Sequence, residues 1–364
     1  KILKKDADKH EARWDALFER YEKAHPILAA EWKAWHSGAL PEGLEDDASL
    51  FDFGGASAMA TRAASGEVLN KLAAKMPNII GGSADLGPSN KSVLKGKEYI
   101  KPGDFSGQNI HYGVREFAMA AIANGIALHG GLRTYVATFL VFTDYLKAAL
   151  RSAAMMRLPV IFIATHDSIG MGEDGPTHQP VEHLAMMRAM PGCTVIRPAD
   201  ANETAAAYLA ALRRKGPTVL ALARQDVPVL SGTGKGLLKG GYVLRDCKDP
   251  DIVLLATGSE VKLICDAADV LAEKGVKARV VSLPCFEIFD EQDEPYRESV
   301  LGKGVKRLAV EAATSFGWHK YVGDSGDIIA LDHFGASAPS KILFEKFGFT
   351  VENVVERAIR LIGR

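Results

Sequence analysis

One loop contains most of the side chains in this sequence that could do chemistry. It spans residues 165–180 and holds two histidines, three acids and three glycines. The apolar run 160–164 before it is typical of a buried strand, and ligands bind open α/β sheets beyond the carboxyl ends of their strands. Imidazole and carboxylate groups there can hydrogen-bond to the hydroxyls of a polyol or transfer a proton. We therefore predict a ligand site whose polar groups are His166, Asp174 and His178.

Cationic and hydroxyl side chains near other loops could hold an anion. Arg62, Ser89 and Arg224 are suited to charge-assisted hydrogen bonds with a phosphate, although exposed arginines are common and each of these residues alone is a weak signal. A metal site is an alternative use of the histidines and acids. No further residues complete a ligand set, and we predict no metal ligands in this chain.

A carboxyl group and an aromatic stripe could bind a flat heterocycle. Glu116 opens the apolar run 117–123, which predicts a buried helix. Its carboxylate could simply stabilise the helix N-terminus, by about 0.3–1 kcal/mol, or it could share a proton with a heteroaromatic nitrogen. Phe139, Phe142 and Tyr145 recur every three residues where a strand passes into a helix, a pattern compatible with core packing or with a ring-binding site.

Alternating helix and strand patterns from about residue 58 onward would position these groups. Helices are predicted at 61–75, 116–129, 142–156, 202–215, 261–274, 293–301 and 351–362, and strands at 78–82, 132–138, 160–165, 195–197, 218–222, 252–256, 278–282, 307–311 and 328–331. Near-continuous apolar strands between helices favour parallel sheets covered on both faces. We predict an α/β fold of two three-layer domains with mainly parallel sheets, at 51–235 and 236–364, preceded by a helical linker segment at 1–50.

The bulk composition excludes several classes of protein. The chain has 364 residues, a net charge of -1 and 47% hydrophobic residues, so nothing indicates binding to nucleic acid or to a membrane. Its four cysteines form no CxxC pair, which favours reduced thiols and a cytoplasmic location. The glycine-rich stretch 231–240 lacks the spacing of a phosphate-binding loop, and we interpret it as a domain boundary.

At these residues the chain resembles the transketolase family. The matching stretches are Gly-Gly-Ser-Ala-Asp-Leu-Gly-Pro-Ser-Asn at 81–90, Gly-Val-Arg-Glu at 113–116, Thr-Phe-Leu-Val-Phe-Thr-Asp-Tyr at 138–145, the loop 165–180, Ala-Arg-Gln at 223–225 and Phe-Gly-Ala-Ser-Ala-Pro at 334–339. The resemblance extends over about 55–364, and the loop 165–180 is its most specific part.

The resemblance implies a transferase that uses thiamine diphosphate to move a two-carbon ketol unit between sugar phosphates of the pentose phosphate pathway. By motif, Glu116 would bond the ring nitrogen of the aminopyrimidine and promote its imino form. Phe139, Phe142 and Tyr145 would surround the pyrimidine, and Asp85 would lie near the cofactor's centre.

Roles toward the substrate also follow from the resemblance. His166, Asp174 and His178 would bind the sugar's hydroxyls and carbonyl, with His178 and His166 as catalytic candidates and His178 the group for proton transfer. Arg62, Ser89 and Arg224 would hold the substrate phosphate.

The chain departs from the family in one respect. We find no Gly-Asp-Gly motif with a following Asn, which in the family binds the divalent metal and the diphosphate. We therefore expect a pyrimidine-binding domain at 51–235 and a C-terminal transketolase-like domain at 236–364, with Mg²⁺ or Ca²⁺ bound through a missing N-terminal domain. The start at Lys1 favours a truncated chain over half of a two-chain enzyme. The isolated chain would be inactive, and its partners would be a second copy or a diphosphate-binding domain.

The apolar stretches 117–127 and 148–156 carry more hydrophobic surface than one sheet face needs. This predicts that two copies of the chain pack together across a two-fold axis.

Two other classes of protein are alternatives to a transketolase. A related thiamine enzyme, such as a deoxyxylulose-phosphate synthase or the β subunit of a 2-oxo acid dehydrogenase, would not share the loop 165–180 in this form. A non-catalytic assembly module would be free to lose Glu116 and His166, yet both are present.

Overall fold

The computed structural model describes residues 2–363. Its helices are α1 (Ile2–Ala24), α2 (Pro26–Ser37), α3 (Thr61–Lys75), α4 (Gly87–Asn90), α5 (Glu116–His129), α6 (Thr143–Met156), α7 (His183–Arg188), α8 (Ala201–Arg213), α9 (Glu260–Glu273), α10 (Phe286–Asp290), α11 (Glu294–Leu301), α12 (His319–Val322), α13 (Ser340–Lys346) and α14 (Val351–Leu361). Its strands are β1 (Ala58–Ala60), β2 (Ile79–Ser83), β3 (Asn109–His111), β4 (Arg133–Phe139), β5 (Ile161–Thr165), β6 (Thr194–Ile196), β7 (Thr218–Leu222), β8 (Asp226–Pro228), β9 (Tyr242–Arg245), β10 (Ile252–Ala256), β11 (Ala278–Ser282), β12 (Lys306–Val310) and β13 (Asp327–Ile329).

The first sheet has six strands in the order β3-β2-β4-β5-β7-β6, and every pair in it is parallel. Side chains alternate between its two faces, as the two-residue period of a strand requires. In β4, Tyr135 and Ala137 join the core under α3 and α8, whereas Val136 joins the core under α5 and α6. Both faces are therefore covered by helices.

The second sheet has five strands in the order β13-β12-β10-β11-β9, with β9 as an antiparallel edge. Ile252 and Leu254 of β10 face a core built with α9 and α14. Val253 and Leu255 face the opposite core, which includes Trp318. The predicted α/β class, with three-layer architecture and mainly parallel sheets, is confirmed, while the predicted domain limits remain predictions.

Aromatic side chains join the two N-terminal helices, α1 and α2. Trp14 and Phe18 of α1 stack with their ring centroids 5.1 Å apart, and Trp32 of α2 lies 4.8 Å from Phe18. Trp14 and Trp32 nonetheless stay 48% and 37% exposed, so their apolar face is only partly covered. The predicted helical segment before the first sheet is present.

Helix α5 corrects one expectation. The apolar run after Glu116 predicted a buried helix, whereas within this chain the helix is buried on one side only. Only one side of α5, with Met119 and Ala123, faces the sheet and α6. Phe117 and Leu128 on the other side are 55% and 67% exposed, because no element of the described residues lies over them.

Two sequence expectations about the whole chain can be compared with the described residues. Cys193, Cys265 and Cys285 are buried, and all four cysteines, including Cys247, are free thiols. None of the helices within residues 2–363 combines the length and the apolar character needed to cross a bilayer.

Candidate active site

The candidate site residues follow the carboxyl ends of the strands of the first sheet. Because its six strands are parallel, those ends lie along one edge. Asp85 and Ser89 come after β2, Glu116 after β3, Phe139, Phe142 and Tyr145 at and beyond the end of β4, His166, Asp174 and His178 after β5, and Arg224 after β7. Thus residues that are distant in the sequence share one edge of the fold.

Three aromatic rings and two imidazoles form a connected cluster at this edge. The ring centroids of Phe139 and Phe142 lie 5.7 Å apart, with the ring planes nearly parallel, and the ring centroid of Tyr145 lies 6.1 Å from that of Phe142. His166 lies 3.7 Å from Phe139, and His178 meets Phe142 edge-on at 5.5 Å. Phe139 is buried, whereas Tyr145 is 65% exposed. The cluster therefore opens to solvent on one side, unlike a core stripe.

His166 lies between this cluster and a pair of arginines. It adopts a left-handed backbone conformation, with φ of 62°, directly after β5, and its ring is buried. Its Nε2 lies 3.4 Å from Nη1 of Arg62, and its Nδ1 lies 2.8 Å from the hydroxyl of Thr165. Burial, followed by the charges of Arg62, Arg224 and His178, lowers the pKa of His166 to about 3.

The two arginines are brought together by a junction between α3 and β7. The amide of Arg62 donates to the carbonyl of Ala223, and the hydroxyl of Thr61 accepts from the amide of Ala223. Nη1 of Arg62 also donates to the carbonyl of Ser89 at 2.8 Å, whereas its Nε is buried with no hydrogen-bond partner. Burial and the charge of Arg224 lower the pKa of Arg62. A cation pair of this kind is suited to an anion.

Glu116 is the first residue of α5 and is 9% exposed. Within residues 2–363 its carboxylate has no hydrogen-bond or ion-pair partner. A carboxylate that is little exposed and makes no hydrogen bond within the protein has its acceptor positions available to a ligand. A ligand that donates or shares a proton could therefore bind there.

Asp85 and Asp174 are less closely tied to the cluster. Asp85 is exposed, has a φ of 62°, and lines a cleft with Ser83, Tyr99 and His111. Asp174 is exposed on the loop after β5, and among residues 2–363 its carboxylate has no hydrogen-bond or ion-pair partner. These two positions share the edge of the sheet but not the contacts of the cluster.

The sequence patterns missed a buried charge network beside the site. Arg197, after β6, is fully buried, and its Nε donates to Asp167, the neighbour of His166, at 2.8 Å. Its Nη1 donates to Glu260 at the start of α9 in the second domain. No local sequence pattern indicates this network, because Arg197 is 30 residues from Asp167 and 63 residues from Glu260 in the chain.

We expect His166 to stay neutral through the physiological range. Because its folded-state pKa of about 3 lies below the ordinary value of 6.5, protonation disfavours the fold as pH falls from about 6.5 towards 3. In ¹⁵N-histidine NMR spectra, its signals, assigned by their loss in His166→Gln, should not titrate between about pH 5 and pH 8. Arg62→Met should raise the pKa only part of the way, since burial is the larger cause. A wild-type midpoint near 6.5 would contradict this electrostatic account.

Comparison with known proteins accounts for the arrangement. A family profile described as transketolase, pyrimidine binding domain, matches residues 57–229, and one described as transketolase-like TK C-terminal domain matches 240–350. The transketolase of Geobacillus stearothermophilus is 50% identical over 98% of this chain and 54% of its own length. Chloroplastic transketolase of Craterostigma plantagineum is 49% identical over 97% of this chain and 69% of its own length. The chain belongs to the transketolase family.

Solved transketolase structures have the same fold. A Pichia stipitis transketolase in complex with sedoheptulose 7-phosphate has a TM-score of 0.93 and 45% identity, covering 98% of this chain and 53% of that one. Transketolase from Leishmania mexicana also has a TM-score of 0.93, with 43% identity and the same coverage. A split-gene transketolase described as an inactive β4 tetramer shares the fold at 24% identity and a TM-score of 0.69.

The chain spans about half the length of most of these transketolases. Membership of the family implies thiamine diphosphate and a divalent metal as cofactors. The residues of this chain fit the ring-binding part of such a cofactor, because the half-open aromatic cluster and the unpartnered Glu116 share one edge of the sheet.

Proposed function

We propose that this chain is the pyrimidine-binding and C-terminal part of a transketolase that transfers a two-carbon ketol unit between sugar phosphates. The convergence of an open aromatic cluster, a buried carboxylate and a cation pair at one edge of a parallel sheet carries the proposal. These three features correspond to the needs of a flat heterocycle, its ring nitrogen and a phosphorylated substrate.

The residues toward the cofactor have separate tasks. Thiamine diphosphate, when bound, supplies the carbanion chemistry that a ketol transfer requires. Phe139, Phe142 and Tyr145 would bind the faces of the pyrimidine, and Glu116 would hold a proton at its ring nitrogen. Asp85 would lie near the cofactor's centre. The exposed face of Tyr145 and the missing partner of Glu116 support this assignment.

The residues toward the substrate divide by charge. Arg62 and Arg224 would hold the phosphate with Ser89, and the unpartnered Nε of Arg62 supports an anion there. His166 contacts Arg62, so that we place its Nε2 beside the phosphate end of the sugar. The remaining polar groups of the loop, His178 and Asp174, would bind the sugar's hydroxyls and carbonyl, with His178 transferring a proton.

The diphosphate end of the cofactor needs a partner. The sequence has no Gly-Asp-Gly motif to hold the metal and the diphosphate, so we propose that another domain or chain supplies them. The exposed apolar face of α5 and the end of α6, with Phe117, Ile122, Leu128, Met155 and Met156, support pairing with a second copy. Burying such a face removes apolar surface from water, which favours association.

The test is reconstitution. This chain alone should show little ketol transfer from xylulose 5-phosphate to ribose 5-phosphate with thiamine diphosphate and magnesium. The chain joined to, or mixed with, the diphosphate-binding half of a transketolase should transfer it, and light scattering should report a dimer. Full activity of the isolated chain would refute the proposal that another domain or chain holds the metal and the diphosphate. Inactivity of every folded combination would refute the proposed function.

A further inference from the structure

The loop that carries Asp174 and His178 depends on the second domain for its shape. After a short 3-10 turn at Ile169–Met171, the loop contains Gly172 and Gly175, both with positive φ, and no regular secondary structure up to α7. Glycine gives up more conformational freedom on folding than any other residue, so such a loop holds one shape only if outside contacts fix it.

Three groups of contacts come from the second domain. The hydroxyl of Ser337 donates to the carbonyl of Glu173, and the amide of Thr314 donates to the carbonyl of Val181 at 3.1 Å. Between these two points, Gln179 bonds to both domains. These contacts bracket Asp174 and His178 in the sequence of the loop.

Gln179 is the central contact. It is 2% exposed, and its Nε2 donates to the carbonyl of Gly172 at 2.8 Å and to the carbonyl of Ala336 at 3.0 Å. One amide group thus closes the loop on itself and ties it to the second domain. The fit is tight, because a Cβ on Gly335 would collide with the side-chain oxygen of Gln179.

The closed loop presents His178 to the aromatic cluster. The amide of His178 donates to the carbonyl of Gly175 at 3.0 Å, and the imidazole meets Phe142 edge-on at 5.5 Å. Because His178 directly precedes Gln179, a shift of Gln179 moves the imidazole relative to Phe142.

We propose that the second domain acts on the reaction through the contacts that Gln179, Ser337 and Thr314 make with this loop. Gln179 would be a positioning residue that sets the positions of His178 and Asp174 for the sugar. The inference rests on the proposed transketolase function for its kinetic part only. Gln179 contacts backbone carbonyls rather than substrate, so its removal should leave cofactor binding unchanged and weaken the use of sugar phosphates.

The test uses Gln179→Glu, which keeps the side chain's size but places oxygens against the two carbonyls. The matched control is Gln292→Glu, since Gln292 donates from Nε2 to the carbonyl of Ile288 within the second domain, away from the loop. In this chain, hydrogen exchange at residues 172–181 should quicken in Gln179→Glu and not in Gln292→Glu. In the active full-length or reconstituted protein, the KM for sugar phosphate should rise or kcat fall by about tenfold to a hundredfold, with the Kd for thiamine diphosphate unchanged.

The possible outcomes separate the two proposals. Unchanged loop exchange, or changed exchange with unchanged kinetics in an active protein, would overturn the positioning role. Absence of ketol transfer in every folded full-length or reconstituted wild-type protein would refute the proposed function, while hydrogen exchange in the isolated chain would still decide whether Gln179 fixes the loop. If Gln179→Glu does not fold, Ser337→Ala with Ser299→Ala as control decides, with an expected kinetic loss of about two- to tenfold.

Discussion

Replacing Glu116 by glutamine should abolish most ketol transfer while leaving the fold intact. The carboxamide has nearly the same shape as the carboxylate, but it cannot take up a proton and return it to the ring nitrogen. Loss of a positioned acid–base group typically costs about 10²- to 10⁴-fold in rate. We expect kcat to fall by that factor in the full-length or reconstituted enzyme.

Glu356→Gln on α14 is the matched control, because that carboxylate is exposed and lies in the second domain. It should keep wild-type kcat. The melting temperature of Glu116→Gln should stay close to that of the wild type, since the carboxylate makes no hydrogen bond or ion pair within the protein and the glutamine side chain is nearly isosteric. If kcat of Glu116→Gln stays within a few-fold of the wild type, the carboxyl group has no part in the chemistry.

Much of the fold was predictable because strong local patterns and tertiary packing agree. The helix predicted at 61–75 is α3 (Thr61–Lys75), and the strand predicted at 218–222 is β7 (Thr218–Leu222). The short edge strands β3 (Asn109–His111) and β8 (Asp226–Pro228) were missed. Three residues carry no periodicity, and such strands exist only because a neighbouring strand pairs with them.

The candidate site was predictable in part. The rule that ligands bind beyond strand ends located the loop after β5, and the family motifs supplied residue roles. Neither could reveal that His166 contacts Arg62, 104 residues away, or that Gln179 reaches Ala336, 157 residues away. The first contact joins distant parts of the first domain and the second joins the two domains, so both depend on the tertiary fold and not on a local pattern.

Removing Arg197 should destabilise the fold strongly, because buried acids near the site depend on its charge. The guanidinium donates to Asp167, to the carbonyl and hydroxyl of Thr257, and to Glu260, all without access to water. A Cβ at Gly258, where φ is 56°, would collide with this guanidinium, so the second domain closely surrounds it. The network therefore joins the loop next to His166 to the second domain.

The same charges act on a neighbouring carboxyl group. Burial by itself raises the pKa of Glu311, but the charges of Arg188 and Arg197 outweigh it and lower the pKa to about 2. A carboxyl group whose folded-state pKa is depressed stabilises the fold above its ordinary pKa of 4.5, and this contribution is lost as pH falls towards 2. Arg188 provides a second, bidentate partner for Glu311, so Glu311 does not depend on Arg197 alone.

Arg197→Met should therefore lower the free energy of unfolding by about 3–5 kcal/mol, because it leaves Asp167 and Glu260 buried and without their cation. Arg245→Met is the control: its ion pair with Asp269 is exposed, and its loss should cost at most about 1 kcal/mol. Urea unfolding at pH 7, followed by circular dichroism, measures both. A variant as stable as the wild type at pH 7 would mean that the packing around the site, rather than this charge network, holds the two domains together.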